Sequence, residues 1–185
     1  MKRSFKSLEY EIIYQILLCE LCFDICNSIE VTQDKRDNFL PYYYNLNFIK
    51  GLISLHSLLL SRQKGEFSIE NYISEYKWNF LKNNSQPDYL QNFEKNIAPI
   101  RISFKKSLPI PLRDKIAAHI DESFFQSDFT RIYIMPTLIP EYIKIISELK
   151  NVFFEFSNYV GDDRPFRKIK KQSDSVLERL VGGTI

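Results

Sequence analysis

The chain of 185 residues has only three cysteines, two histidines and a net charge of +2. So small a net charge excludes a chain that is, as a whole, a polyanion-binding arm. Any contact with nucleic acid must come from a local patch. An odd number of cysteines argues against a disulfide framework. Cys19 and Cys22 stand at Cys-x-x-Cys spacing, but no second pair and no nearby histidine completes a tetrahedral zinc set. Cys19, Cys22 and Cys26 instead recur at i, i+3 and i+7 among Leu17, Leu18, Leu21, Phe23 and Ile25. They read as small core residues on one helix face. No metal and no cofactor is expected.

Long uninterrupted apolar runs are also missing. The N-terminus, MKRSFKSLEYEII, is punctuated by charge and has no signal-peptide core. No stretch is expected to reach the ~20 apolar residues of a membrane helix. The best candidate, residues 52–60, is short and holds His56 and two serines. A soluble cytoplasmic protein without membrane contact is the expectation, with His56 a satisfied core histidine. No repeat at solenoid period is present.

What the chain does have is ordinary globular composition, with 44% hydrophobic and 26% charged residues. Aromatic content is high at 15%, which suits a well-filled core and a subunit interface. In the run Tyr42, Tyr43 and Tyr44, packing is the first reading and base stacking the second. Apolar periodicity predicts an amphipathic helix over 4–29 and a second long helix over 37–61, with Pro41 in its first turn. A shorter helix over 69–81 has Ser68 as N-cap without a full capping box. Asp88 caps a helix through Leu90, Phe93, Ile97, Ile100 and Phe104, which Pro99 should kink or divide. Pro111 opens a short helix over 112–119, an irregular loop follows, and residues 131–135 read as an extended piece. A last long helix runs from 137 to near Gly161, with Pro140 in its first turn. The expected fold is all-α: an antiparallel four- to five-helix bundle over residues 1–161, then a basic tail over 162–185.

Chemistry concentrates in Arg113-Asp114-Lys115-Ile116-Ala117-Ala118-His119-Ile120-Asp121. Arg113 carries a fork of donors suited to phosphate. His119 titrates near neutral pH and can move a proton. Asp114 and Asp121 can orient the imidazole or the guanidinium, and Lys115 adds local positive charge. Ala117 and Ala118 permit close approach of another helix or a substrate backbone. The plain alternative is a surface ion pair beside a helix-terminal histidine. Arg113 and His119 are six positions apart, which on a straight helix is ~120° of rotation and ~9 Å of rise. They do not converge on one face. Either the helix ends before His119, or a second copy of the motif completes the site across a two-fold axis.

Arg113, five residues and then His119, with Asp114 directly after the arginine, resembles the Arg-x(4–6)-His signature of the HEPN superfamily. The wider string Arg-Asp-Lys-x-x-Ala-His-x-Asp resembles the abortive-infection AbiU-type branch. The motif covers about nine residues, and the helix pattern extends the likeness over residues 5–159. This resemblance implies a HEPN-like bundle and a metal-independent endoribonuclease acting as a homodimer with a composite site. In that chemistry the ribose 2′-OH attacks the adjacent phosphate and leaves a 2′,3′-cyclic end. It gives His119 the role of general acid or base, Arg113 that of stabilising the phosphoryl oxygens, and Asp114 that of holding one of those oxygens in place, with Asp121 and Lys115 in support. It also implies a toxin or anti-phage defence effector, partnered by an antitoxin. One branch carries a tyrosine two residues after the histidine as a target for inactivating modification. Asp121 stands there in this chain and removes that target.

Two function classes follow. One is a HEPN-type ribonuclease. The other is a non-catalytic helical module that binds a partner protein, RNA or a nucleotide. In either, the basic tail residues Arg164, Arg167, Lys168, Lys170 and Lys171 can form a salt-dependent RNA patch.

Overall fold

The computed structural model of the chain describes residues 5–32, 39–62, 67–81, 87–108 and 138–157, together with Lys171. Among these residues there is helix and no strand. Among the described residues there are five α-helices: α1 (Phe5–Thr32), α2 (Phe39–Leu60), α3 (Ile69–Tyr76), α4 (Pro87–Ser107) and α5 (Ile139–Ser157). The expected 137–161 and 4–29 helices are thus present with shifted ends.

Neighbouring long helices run antiparallel. Cys19 meets Gly51 and Cys26 meets Tyr44, so α2 returns along α1. Glu20 meets Lys150 while Phe23 stacks on Tyr142, so α5 also runs against α1. Tyr89 meets Phe156 and Phe104 meets Tyr142, which sets α4 against α5. The packing order is α2, α1, α5, α4, with short α3 against α1 and α2.

This order corrects the expectation that α1 is amphipathic. The helix lies between α2 and α5, and Leu8, Ile12, Ile13, Ile16, Leu17, Phe23, Ile25 and Ile29 are buried around most of its circumference. A helix with so wide an apolar surface belongs inside a bundle, and a narrow strip with Tyr10 and Tyr14 is exposed. It also corrects the expected absence of a span-length apolar helix. By length and composition Phe5–Ile29 could cross a membrane, with 56% of its apolar window buried within the bundle. Glu9, Glu11 and Glu20 interrupt the run in sequence without lowering its average enough to disqualify it.

Local chemistry sets the helix ends. The Ser68 hydroxyl accepts from the Asn71 N–H at 3.2 Å, as its N-cap position predicts. The predicted 69–81 helix does not continue as one α-helix. At Lys77–Leu81 it widens into a π-helical turn. The Asn79 side-chain amide donates to the Glu75 carbonyl at 2.8 Å, competing for an acceptor of the regular ladder. Pro87, not Asp88, opens α4, because a first-turn proline has no N–H to lose. Asp88 then sits in that first turn, where its charge favours the helix dipole. Pro99 does not divide α4. It lies on the exposed side, where water can satisfy the carbonyl its missing N–H leaves. At the far end of α5 the Tyr89 hydroxyl donates to the carbonyls of Glu155 and Phe156 at 3.2 and 2.9 Å, supplying partners for terminal acceptors.

Candidate functional site

The motif residues Arg113, Asp114, Lys115, His119 and Asp121 lie outside the described residues, as do Arg164, Arg167, Lys168 and Lys170 of the tail. The predicted helix over 112–119 and the extended piece over 131–135 lie outside them too. Lys171 is described and exposed. What the structure provides is the frame from which the motif-bearing stretch departs and to which it returns.

That frame is built on Tyr142. Its side chain is fully buried, stacks on Phe23 with ring centroids 5.2 Å apart, and meets Phe48 and Phe104 edge-on. Its hydroxyl donates to the Ser107 carbonyl at 3.0 Å. Ser107 in turn donates from its own hydroxyl to the Phe104 carbonyl, and the Leu108 N–H donates to the same carbonyl. The last turn of α4 is therefore closed by its own side chain and tied to the start of α5. Leu108 and Ile139 are both buried. The chain leaves the described bundle at Leu108 and re-enters at Leu138, and both points lie at one end of it. Burial pushes the Tyr142 phenol well up, so it is a neutral donor at physiological pH.

At the opposite end, Tyr72 donates to a Glu9 carboxylate oxygen at 2.7 Å. Phe5, Tyr76, Phe93, Phe153 and Phe156 surround it. Burial, then the Glu9 hydrogen bond, raises this phenol as well. The pair satisfies a polar group inside an aromatic cluster and offers no reactive atom to a substrate.

The cysteines take the core positions that their spacing predicts. Cys19, Cys22 and Cys26 are all buried, facing α2. The Cys19 thiol donates to the Gly51 carbonyl at 3.6 Å and the Cys26 thiol to the Tyr44 carbonyl at 3.5 Å. Burial raises the Cys19 thiol and pushes the Cys22 thiol up to about 11, so neither supplies a thiolate nucleophile near neutral pH. Among the described residues no group of three or more His, Cys, Asp or Glu side chains could hold a metal ion. His56 is half-buried at the edge of the core rather than sealed within it. Tyr44 is buried and stacks on Phe48, and Tyr43 packs against the core. Both are packing residues, in keeping with the first of the two expectations for the tyrosine run.

No protein-family model, curated protein or solved structure matches this chain. The functional reading rests on the residues themselves. Sequence reasoning placed local positive charge in the motif and the tail. It missed a second basic surface, on α4, whose signal was the spacing of its lysines against the buried stripe.

Proposed function

We propose that this chain is a metal-independent endoribonuclease of HEPN type, similar to the abortive-infection AbiU-type branch, acting in the cytoplasm as a toxin or anti-phage effector. One observation carries the reading. The string from Arg113 to Asp121 combines a phosphate-binding arginine with a lone titratable imidazole, in a stretch between two antiparallel bundle helices. The tie between Tyr142 and Ser107 supports it by holding the ends of those helices together.

In this mechanism His119 accepts the proton of the ribose 2′-OH as the oxygen attacks phosphorus. The bond from phosphorus to the 5′-oxygen breaks, and that oxygen takes a proton from water. The products are a 2′,3′-cyclic phosphate and a 5′-hydroxyl. Arg113 stabilises the charge growing on the non-bridging oxygens. Asp114 orients the site, with Lys115 and Asp121 in support. The six-residue separation favours a homodimer in which each site takes Arg113 from one copy and His119 from the other. An antitoxin protein is the expected regulator.

The test is incubation of the purified protein with transfer RNA in EDTA beside His119→Ala. Cleavage to cyclic-phosphate ends that the variant lacks supports the enzyme. No cleavage by either protein at high concentration rejects it in favour of the binding module. Mixing the separately inactive Arg113→Ala and His119→Ala proteins restores activity only when the site is shared between copies.

A further inference from the structure

The buried residues of α4, Leu90, Phe93, Ile97, Ile100 and Phe104, follow the alternating three-and-four spacing of a helix that packs along one narrow seam. Most of the remaining positions are open to solvent, with Glu94 and Arg101 half-buried and Ser107 buried in the last turn. On the side away from that seam lie Lys95, Ile102, Lys105 and Lys106, all exposed. From Lys95 to Ser107 the helix carries no acidic residue.

Two other charges on α4 are engaged. Glu94 is held by Lys77 at 2.7 Å. Arg101 is turned toward Glu70 at 3.1 Å and is only 25% exposed. Lys95, Lys105 and Lys106 form no ion pair among the described residues. Glu141, in the first turn of α5 at the same end, pairs with none of them. Three solvated cations thus stand along one open face.

Lys95 and Lys105 are ten residues apart, ~15 Å along the axis, a span of about four phosphates at the ~3.4 Å axial spacing of one strand in a duplex. In sequence, Arg113 and Lys115 follow Lys106 by seven and nine residues. Cations on one open side of a helix, without an ion pair among the described residues and without a broad apolar patch around them, fit a polyphosphate backbone better than a folded protein partner.

We infer that the exposed face of α4 bearing Lys95, Lys105 and Lys106 is a binding surface for the sugar-phosphate backbone of RNA. The inference deepens the ribonuclease reading and takes its substrate class from it. Binding is nonetheless measurable without cleavage, so the two can fail separately. For a single strand, every phosphate that a lysine no longer neutralises lowers the slope of log K against log salt by ~0.7, or about two for three phosphates.

The experiment measures anisotropy of a labelled single-stranded RNA between low and physiological salt, with His119→Ala as the uncleaving background. Lys95→Gln, Lys105→Gln and Lys106→Gln are introduced together. A control of equal charge change carries Lys6→Gln, Lys50→Gln and Lys144→Gln, all at exposed positions elsewhere. The expected result is a salt slope lower by about two in the α4 variant and unchanged in the control, with circular dichroism the same in both. An unchanged slope in the α4 variant overturns the inference, and so does an equal fall in the control. If the substitutions abolish binding to polyglutamate and leave RNA binding intact, the inference is overturned in favour of an acidic protein partner. A lowered RNA slope in a chain whose wild type cleaves nothing sustains this surface and rejects only the ribonuclease.

Discussion

The Tyr142 hydroxyl donates a hydrogen bond of 3.0 Å to the carbonyl of Ser107. It joins α5 to the last turn of α4 at a buried point. The residues on either side of the motif-bearing stretch are thereby held at one end of the bundle.

Tyr142→Phe keeps the ring against Phe23 but strands the Ser107 carbonyl. A buried acceptor left without its partner costs about 1–3 kcal/mol. The urea midpoint should fall accordingly, with far-ultraviolet circular dichroism unchanged in the native baseline. A midpoint equal to that of wild type would show that water replaces the phenol there.

Gly51→Ala probes the close approach of α1 and α2. A Cβ at Gly51 meets Phe23 Cζ at 3.0 Å, Phe23 Cε1 at 3.1 Å and Cys22 Cβ at 3.2 Å. The Phe23 ring cannot swing freely because Tyr142 stacks on it and Phe48 meets its edge. Overpacking costs about 1–3 kcal/mol, against ~1 kcal/mol gained from alanine's better helix propensity. The melting temperature should fall, since the crowded atoms belong to a rigid ring. A rise in melting temperature would refute this packing.

Iodoacetamide at mildly alkaline pH should leave Cys19, Cys22 and Cys26 unlabelled in the native protein and label all three in urea. Burial removes access, and for Cys19 and Cys22 it also suppresses the thiolate. Intact mass before and after denaturation reads the result. Rapid native labelling would place at least one thiol at the surface.

Stability should decline from about pH 9 upward. The Cys22 thiol ionises near 9 when unfolded and near 11 when folded, so above pH 9 the unfolded chain binds fewer protons. Its contribution is complete below the unfolded value and is lost as pH rises toward the folded one. Cys19, Tyr72 and Tyr142 are raised in the same direction and add to the loss. Urea midpoints at pH 7, 9 and 10.5 test this, and a flat profile refutes it.

Ser68→Ala should cost about 1 kcal/mol by removing the acceptor of the Asn71 N–H. Ser68→Thr, which keeps a hydroxyl, should lose less. Equal losses in the two variants would mean that burial of the site, not the cap, sets the cost.

Much of this architecture is legible in residue order because helices obey local rules. The 3.6-residue period marks α1, α2, α4 and α5. Ser68 caps α3 because the cap depends on residues three apart. The cysteines face the core because their own spacing places them on one side of α1. The motif from Arg113 to Asp121 is likewise read from order alone, and a straight helix over it would set Arg113 and His119 on different faces.

Tertiary packing decided what no local rule contains. The position of α1 between two antiparallel neighbours buries it round most of its circumference, and residue order alone does not say which helices supply those neighbours. Tyr142 and Ser107 are 35 residues apart, and only the return of α5 along α4 brings them together. Lys77 and Glu70, from α3 and its π turn, engage Glu94 and Arg101, while Lys95, Lys105 and Lys106 form no ion pair among the described residues. Propensity and periodicity act over a few residues, so they determine the helices. Which helix lies inside, and which charge finds a partner, depends on how many neighbours surround each face.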